Sequence, residues 1–272
     1  MDRLFGESGR CLDVAIDHGM VNELPLLAGV EDMLRAVAVL VKAAPDAIQL
    51  APGMVHALDG VRGRSRPALV LRSDTSNVYG ATLPRHLFSE TNPAAVELAV
   101  SADAACVVVN HLLLPNQPEL HHQTLRNVMA LKRQCERSGM PLMVEPLVMA
   151  PNDAKGGYMV DGNLSLILPL VRQAVELGAD IIKADPCENP QEFHRIVETA
   201  AGVPVLVRGG GRAGDEEILT RTVEIMKQGA RGIVYGRNII QHAHPDRMVR
   251  ALMAVVHHGA GSSAALEILA HR

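Results

Sequence analysis

The chain has 272 residues, a formal net charge of -4 at pH 7, and a composition that is 48% hydrophobic but 2% aromatic. This length suits one α/β barrel, in which layers of aliphatic side chains fill the core. The slight negative charge gives no basic surface for a phosphodiester backbone, so nucleic acid is excluded as an expected partner.

Cysteine usage and hydropathy predict a cytoplasmic protein that does not enter a membrane. No stretch approaches the roughly 18 consecutive apolar residues of a membrane helix. No signal peptide is recognised, and no C-x-x-C pair occurs, which is typical of a reducing compartment. The four cysteines are scattered along the chain: Cys11, Cys106, Cys135 and Cys187.

Short apolar runs alternate with stretches of helical periodicity, which indicates βα units rather than hairpins. Eight strands are predicted, at Leu12 to Asp17, Asp46 to Leu50, Ala68 to Arg72, Ala104 to Asn110, Pro141 to Leu147, Asp180 to Asp185, Val203 to Arg208 and Gly232 to Tyr235. Helices are predicted between strands, among them Gln123 to Ser138, Leu164 to Leu177, Pro190 to Ala200 and Glu216 to Gln228. Two further helices are predicted in the segment from Pro245 to Ala270. We therefore expect residues 1–272 to form one α/β domain, a (β/α)8 TIM barrel with C-terminal helices from about residue 245.

Polar residues end most of the predicted strands. In a βα barrel the carboxyl ends of the strands line one mouth, which is where such barrels place their active sites. We therefore expect these side chains to meet: Asp17, Arg72, Asn110, Asp185 and Arg208.

Lys183 is the candidate nucleophile. It interrupts an apolar strand, and the alternation of strand residues puts Ile181, Lys183 and Asp185 on one face. If that face lines the barrel interior, burial favours the neutral amine, which attacks carbonyl groups. The residues also allow a structural lysine paired with Asp185 or Asp17.

Candidate proton carriers occur at two strand ends. Asp17 and His18 follow the first strand, and Glu145 interrupts the apolar fifth strand. Carboxylates and imidazoles both move protons in active sites. The alternative for Asp17 and Glu145 is an interior ion pair with Arg72 or Arg208.

Glycines after the last two strands predict a phosphate site. Glycine lets the backbone approach an anion, and the loops after strands seven and eight are where barrels hold phosphate. Glycine is also common in ordinary turns. The candidate binding residues are Arg208, Gly209, Gly210, Gly211, Gly236 and Arg237.

The twelve histidines raise the hypothesis of a zinc enzyme, but their spacing does not support it. There is no H-E-x-x-H motif, and the adjacent His121 and His122 diverge on any regular element. We expect neither a metal nor a cofactor.

Four segments in this order resemble the archaeal-type class I fructose-bisphosphate aldolases and their relatives, the aminodideoxyheptulosonate synthases and the autoinducer-2 phosphate thiolase. The resemblance covers nearly the whole chain. It implies that Lys183 is the Schiff-base lysine, that Asp17 is a catalytic or hydroxyl-binding acid, and that the glycine segments clamp phosphate. It also implies a homo-oligomer, often a decamer. The segments are Val14 to Gly19, Gly178 to Lys183, Gly209-Gly210, and Gly236 to Gln241 with His244-Pro245.

The chain departs from this family at three places. Leu147 stands at the position that matches the proton-donating tyrosine of strand five, and Arg208 replaces a small residue before the paired glycines. After Lys183 the chain reads Ala184-Asp185-Pro186-Cys187 rather than Thr-x-Tyr. These changes argue for a different or more anionic substrate than fructose bisphosphate.

The predicted activity is reversible carbon-carbon bond cleavage of a phosphorylated ketose or related keto compound. Lys183 would form the iminium, and Asp17, with Glu145 or His18, would handle protons. Two alternatives remain: acyl transfer, as in the thiolase relative, and a catalytically silent protein that binds a sugar phosphate.

Overall fold

The computed structural model describes residues 1–63, 66–80, 83 and 86–271. Eight parallel strands form a closed barrel, because β8 pairs with β1 and β4 pairs with β5. The strands are β1 (Cys11–Ala15), β2 (Ala47–Leu50), β3 (Ala68–Arg72), β4 (Cys106–Leu113), β5 (Leu142–Pro151), β6 (Ile181–Ala184), β7 (Val205–Arg208) and β8 (Gly232–Tyr235).

Helices surround the barrel and connect its strands. A 3-10 helix, Pro52–Leu58, occupies the connection from β2 to β3. The α-helices of the described residues are α1 (Met33–Ala43), α2 (Ala95–Ser101), α3 (Pro118–Ser138), α4 (Leu164–Glu176), α5 (Phe193–Thr199), α6 (Asp215–Lys227), α7 (Arg237–Ile240), α8 (Pro245–His258) and α9 (Ser262–Ala270).

Alternation along the strands divides the core into two parts. Leu12 and Val14 of β1 face outward into the large cluster between strands and helices. Cys11 and Ala15 face inward and pack with Ile181 and other residues in the barrel interior. Strand residues two apart share a face. Interior residues therefore lead directly to the carboxyl ends of the strands, called the mouth below.

Two hairpins extend above the mouth. Strands Asp74–Ser76 and Ser89–Thr91 pair antiparallel after β3, and the end of β5 pairs antiparallel with Tyr158–Val160. Val78 and Leu147 join the small apolar cluster beneath these hairpins. The hairpins thus enclose one side of the mouth with residues that lie outside the barrel itself.

The predicted TIM barrel is confirmed, and strands Ala68 to Arg72 and Gly232 to Tyr235 have the predicted bounds. The fifth strand, predicted to end at Leu147, continues to Pro151 because a hairpin partner extends it. The first strand ends at Ala15, so Asp17 lies beyond it, before the 3-10 helix His18–Val21. Among the described residues no helix is long and apolar enough to cross a membrane.

Candidate active site

A cavity of about 160 Å³ opens at the mouth. Its size suits a small molecule rather than a polymer. Most of the side chains and glycines that the sequence predicted for the mouth line this cavity. They are Asp17, His18, Arg72, Asn110, Glu145, Lys183, Arg208, Gly209, Gly210, Gly236 and Arg237. Two predicted residues do not line it: Gly211 is exposed, and Asp185 lies buried behind Arg208.

Lys183 projects from β6 into this cavity with 4% of its surface exposed. Its Nζ lies 2.9 Å from Glu145 Oε2 and donates to Gln49 Oε1 at 3.3 Å. The sequence offered Asp17 or Asp185 as the carboxylate partner, and the structure places Glu145 there instead. Lys183 is therefore buried, directed at the cavity and held by two acceptors.

Arg72 organises the carboxylates around Lys183. Its Nε donates to Asp17 Oδ2 at 2.8 Å, and its Nη2 donates to Glu145 Oε2 at 2.7 Å. Its Nη1 donates to Asn110 Oδ1 at 3.0 Å. The interior ion pairs weighed for Asp17 and Glu145 thus exist with Arg72. They also set the position of both carboxylates beside the amine.

Both carboxylates are held in the ionised form. Burial by itself would raise the pKa of Glu145, but Lys183, Arg72 and Arg208 outweigh burial and lower that pKa to about 2. For Asp17 the opposing cations are Arg72 and Lys183, and the pKa again falls to about 2. At neutral pH these groups accept hydrogen bonds and have no proton to donate.

His18 is a neutral imidazole at the first loop. Burial is the main cause that lowers the pKa of His18 to about 4, and the charge of Asp17 opposes it. A Cβ on Gly236 would contact the His18 ring and the Ala15 carbonyl, so only glycine fits there. Among the described residues the His18 Nδ1 has no hydrogen-bond partner.

The loops after β7 and β8 meet at a glycine-arginine rim, defined here as Gly209, Gly210, Gly236 and Arg237. Arg237 Nη2 donates to the Gly210 carbonyl at 3.2 Å, and Gly210 has a φ of +64° that favours glycine. Within the described part of the chain, no carboxylate pairs with Arg237. The rim therefore presents a half-buried cation that internal acids leave uncompensated.

Arg208 differs from Arg237, although the sequence assigned both to phosphate. Its Nε lies 3.2 Å from Asp185 Oδ1, and its Nη1 lies 3.7 Å from Glu145 Oε1. Burial raises the pKa of Asp185 to about 6, with Arg208 opposing that rise. Internal acids thus compensate the charge of Arg208, which leaves Arg237 as the better candidate for an anion.

Sequence reasoning missed several residues of the site. Gln49 lies on the interior face of β2, and its Nε2 donates to Asp17 Oδ2 at 2.6 Å, so strand alternation could have found it. Thr75 and Tyr79 line the cavity from the hairpin segment after β3, for which the sequence held no periodic signal. Leu147, matched to the family tyrosine, is buried in the apolar cluster beneath the hairpins.

Asp13 is a second buried acid, one step below the cavity on the interior face of β1. It is fully buried, and neither carboxylate oxygen has a partner among the described residues. Burial raises the pKa of Asp13 to about 7, although the charge of Lys183 opposes the rise. An uncompensated acid of this kind weakens the fold once it ionises.

Comparisons with known proteins identify the family. Residues 11–242 match the model of the DeoC/LacD family aldolases. The chain belongs to that family. An uncharacterized aldolase of Saccharolobus solfataricus is 33% identical over 99% of this chain and 97% of that protein. The 2-amino-3,7-dideoxy-D-threo-hept-6-ulosonate synthase of Halobacterium salinarum is 31% identical, over 94% of this chain and 90% of the synthase.

Other matches extend the family comparison. The 3-hydroxy-5-phosphonooxypentane-2,4-dione thiolase of Escherichia coli is 30% identical over 98% of this chain and 84% of the thiolase. Among solved structures, an archaeal fructose 1,6-bisphosphate aldolase superposes with a TM-score of 0.76 at 25% identity, covering 95% and 97% of the two chains. A Schiff-base-forming fructose-1,6-bisphosphate aldolase gives the same TM-score and identity over 93% and 97%. The chain is thus an aldolase-family enzyme with the barrel of these proteins.

Proposed function

We propose that this enzyme makes and breaks a carbon-carbon bond in a phosphorylated ketose or related keto compound through an iminium on Lys183. The observation that carries the proposal is the position of Lys183 Nζ, which lies buried in the mouth cavity beside Glu145 at 2.9 Å. An amine in that position can attack a carbonyl carbon, and the iminium that forms then serves as the electron sink.

Proton handling around the amine follows from the same contacts. The Lys183 ammonium must lose a proton before it attacks, and Glu145 Oε2 is its nearest acceptor. Asp17 reaches Lys183 through Gln49, whose Nε2 donates to Asp17 while its Oε1 accepts from Lys183. These acceptors favour the positively charged iminium stage, because they surround the nitrogen with negative charge.

The glycine-arginine rim supports a phosphate on the substrate. Arg237 is the cation there without a carboxylate partner among the described residues, and Gly209 and Gly210 bring backbone close to it. Guanidinium groups bind phosphate through charge-assisted hydrogen bonds. The rim and Lys183 line one cavity, so a substrate anchored at the rim can present its carbonyl to the amine.

A second candidate is acyl transfer from a phosphorylated diketone, favoured by the 30% identity with the Escherichia coli thiolase. It uses the same lysine and the same rim. Incubation with coenzyme A and the phosphorylated diketone separates the two reactions, since only acyl transfer yields a thioester.

The test is a screen of phosphorylated ketoses for cleavage, with wild-type enzyme and Lys183→Met side by side. We expect wild type to release an aldehyde from at least one ketose and Lys183→Met to release none. Lys155→Met is the matched control, because Lys155 is exposed on a hairpin turn. Full activity of Lys183→Met would contradict the proposal, and phosphate binding without any turnover would favour the silent binding protein.

A further inference from the structure

The proposed aldol reaction needs a proton donor that the carboxylates of the cavity do not supply. When a new carbon-carbon bond forms, the aldehyde oxygen becomes an alkoxide and must gain a proton. Asp17 and Glu145 are ionised, and Lys183 is consumed as the iminium. Asp74, the third acid of the lining, is already engaged, because its oxygens accept hydrogen bonds from Arg72, Ser89 and the Asn110 backbone N-H. The donor is therefore a neutral O-H or N-H group of the lining, and a phenol is a stronger acid than the N-H of a neutral imidazole such as His18.

Tyr79 meets this requirement. It lines the cavity together with Lys183 and Arg208. The chain has three tyrosines, and the other two lie elsewhere. Tyr235 is buried with its hydroxyl 2.9 Å from Thr222 Oγ1, and Tyr158, although it packs against the same hairpin cluster as Tyr79, does not line the cavity. The serine and threonine hydroxyls of the lining are far weaker acids than a phenol.

Arg208 is the cation that acts most strongly on Tyr79. Both side chains line the cavity, and the charge of Arg208 favours the phenolate form of Tyr79. A guanidinium group has donors but no acceptor, so it cannot take the phenol proton. The Tyr79 hydroxyl proton consequently remains available for another acceptor. After that proton leaves, the positive charge of Arg208 stabilises the phenolate.

The hairpins hold Tyr79 over the cavity. Val78, next to it, is fully buried, and its carbonyl accepts from the Tyr158 backbone N-H at 3.1 Å. On the other side, Gly157 lies so close to the Gly80 backbone that a side chain there would clash. Burial raises the pKa of Tyr79, with Arg208 opposing the rise, so the resting side chain is the phenol.

We propose that Tyr79 is the catalytic proton donor at the aldehyde oxygen, an inference that rests on the aldol function proposed above. In condensation, the enamine carbon attacks the aldehyde carbon, and the electron pair of the carbonyl bond moves to oxygen. That oxygen takes the proton from Tyr79, leaving a phenolate beside Arg208 and an iminium on Lys183. The phenolate regains a proton from water. In cleavage the same phenolate removes the proton from the substrate hydroxyl.

The test compares Tyr79→Phe with Tyr158→Phe, which removes a hydroxyl from the same hairpins outside the cavity. Condensation is assayed with dihydroxyacetone phosphate and, in turn, glyceraldehyde 3-phosphate, glycolaldehyde and acetaldehyde. We expect Tyr79→Phe to lower kcat by about 10²-fold or more, as for loss of a general acid, with little change in KM. Tyr158→Phe should keep the wild-type kcat.

Two further measurements separate chemistry from structure. Borohydride with dihydroxyacetone phosphate should still trap the iminium on Tyr79→Phe, since the hydroxyl acts after that step. The wild-type cleavage rate should rise with pH as the phenol ionises, and Tyr79→Phe should lack this rise. If Tyr79→Phe kept the wild-type kcat, or if it no longer trapped the iminium, the proposed role of Tyr79 would be wrong while the aldol function still stood. Absence of trapping and turnover in wild type, both with these substrates and with the phosphorylated ketoses of the screen above, would instead overturn the aldol function, and this proposal with it.

Discussion

Across the residues that the structure describes, the cations of the mouth fall into two regions, one in which carboxylates pair with them and one in which no carboxylate does. Around Lys183, at the ends of β1, β3, β5 and β6, Arg72 and Lys183 are matched by Asp17 and Glu145 within 3 Å. In the loop after β8, Arg237 has no such partner among the described residues, and its side chain donates to the Gly210 carbonyl. A compensated cluster holds reacting groups in place, whereas an uncompensated cation attracts an anionic ligand.

Of the substitutions that test this difference, removal of Arg72 should have the largest effect on stability and turnover. Arg72→Leu leaves two buried carboxylates without their shared partner, which costs roughly 3–5 kcal/mol when a buried pair is broken. We expect a large fall in Tm and loss of turnover, measured by thermal unfolding and by aldol cleavage. Arg172→Gln is the control, since Arg172 pairs with Glu176 on the exposed surface. A wild-type Tm in Arg72→Leu would show that the network does not stabilise the fold.

Replacing Arg237 should affect binding rather than stability. Arg237→Gln removes the cation of the rim, and a charge-assisted hydrogen bond contributes roughly 1.5–3 kcal/mol. We therefore expect KM for a phosphorylated substrate to rise by about 10- to 100-fold, with the unphosphorylated analogue unaffected. Arg212→Gln, on an exposed neighbouring residue, should leave both KM values unchanged. Equal rises for both substrates would mean that the rim does not bind phosphate.

Replacing Asp13 should have the smallest effect of the three, a change in thermal stability that depends on pH. The pKa of Asp13 rises from 3.8 to about 7 on folding, so the folded protein holds the proton more tightly than the unfolded chain. Such an acid lowers the free energy of unfolding as the pH rises from about 4 to about 7. Asp13→Asn removes the titration, and its Tm relative to wild type should increase across that window and then level off. A constant difference between pH 4 and pH 8 would contradict the assignment.

Strand alternation made much of the site predictable. Lys183 and Glu145 each interrupt an apolar run, which made both candidates, and a period of two put Lys183 on one face with Ile181 and Asp185. Alternation says nothing about which groups pair across the interior, so the contact of Lys183 with Glu145 and the different surroundings of Arg208 and Arg237 required coordinates. The sequence did not predict Tyr79, because the segment after β3 has no repeating pattern and its position depends on tertiary contacts.

The most direct test of the central claim is the site at which a substrate carbonyl becomes attached to the enzyme. Wild-type enzyme is incubated with dihydroxyacetone phosphate, reduced with borohydride, digested, and its peptides weighed. The account predicts one added mass, on the peptide that contains Lys183, and none in Lys183→Met. A label on Lys155 or another exposed lysine, with Lys183 unmodified in an active enzyme, would contradict it.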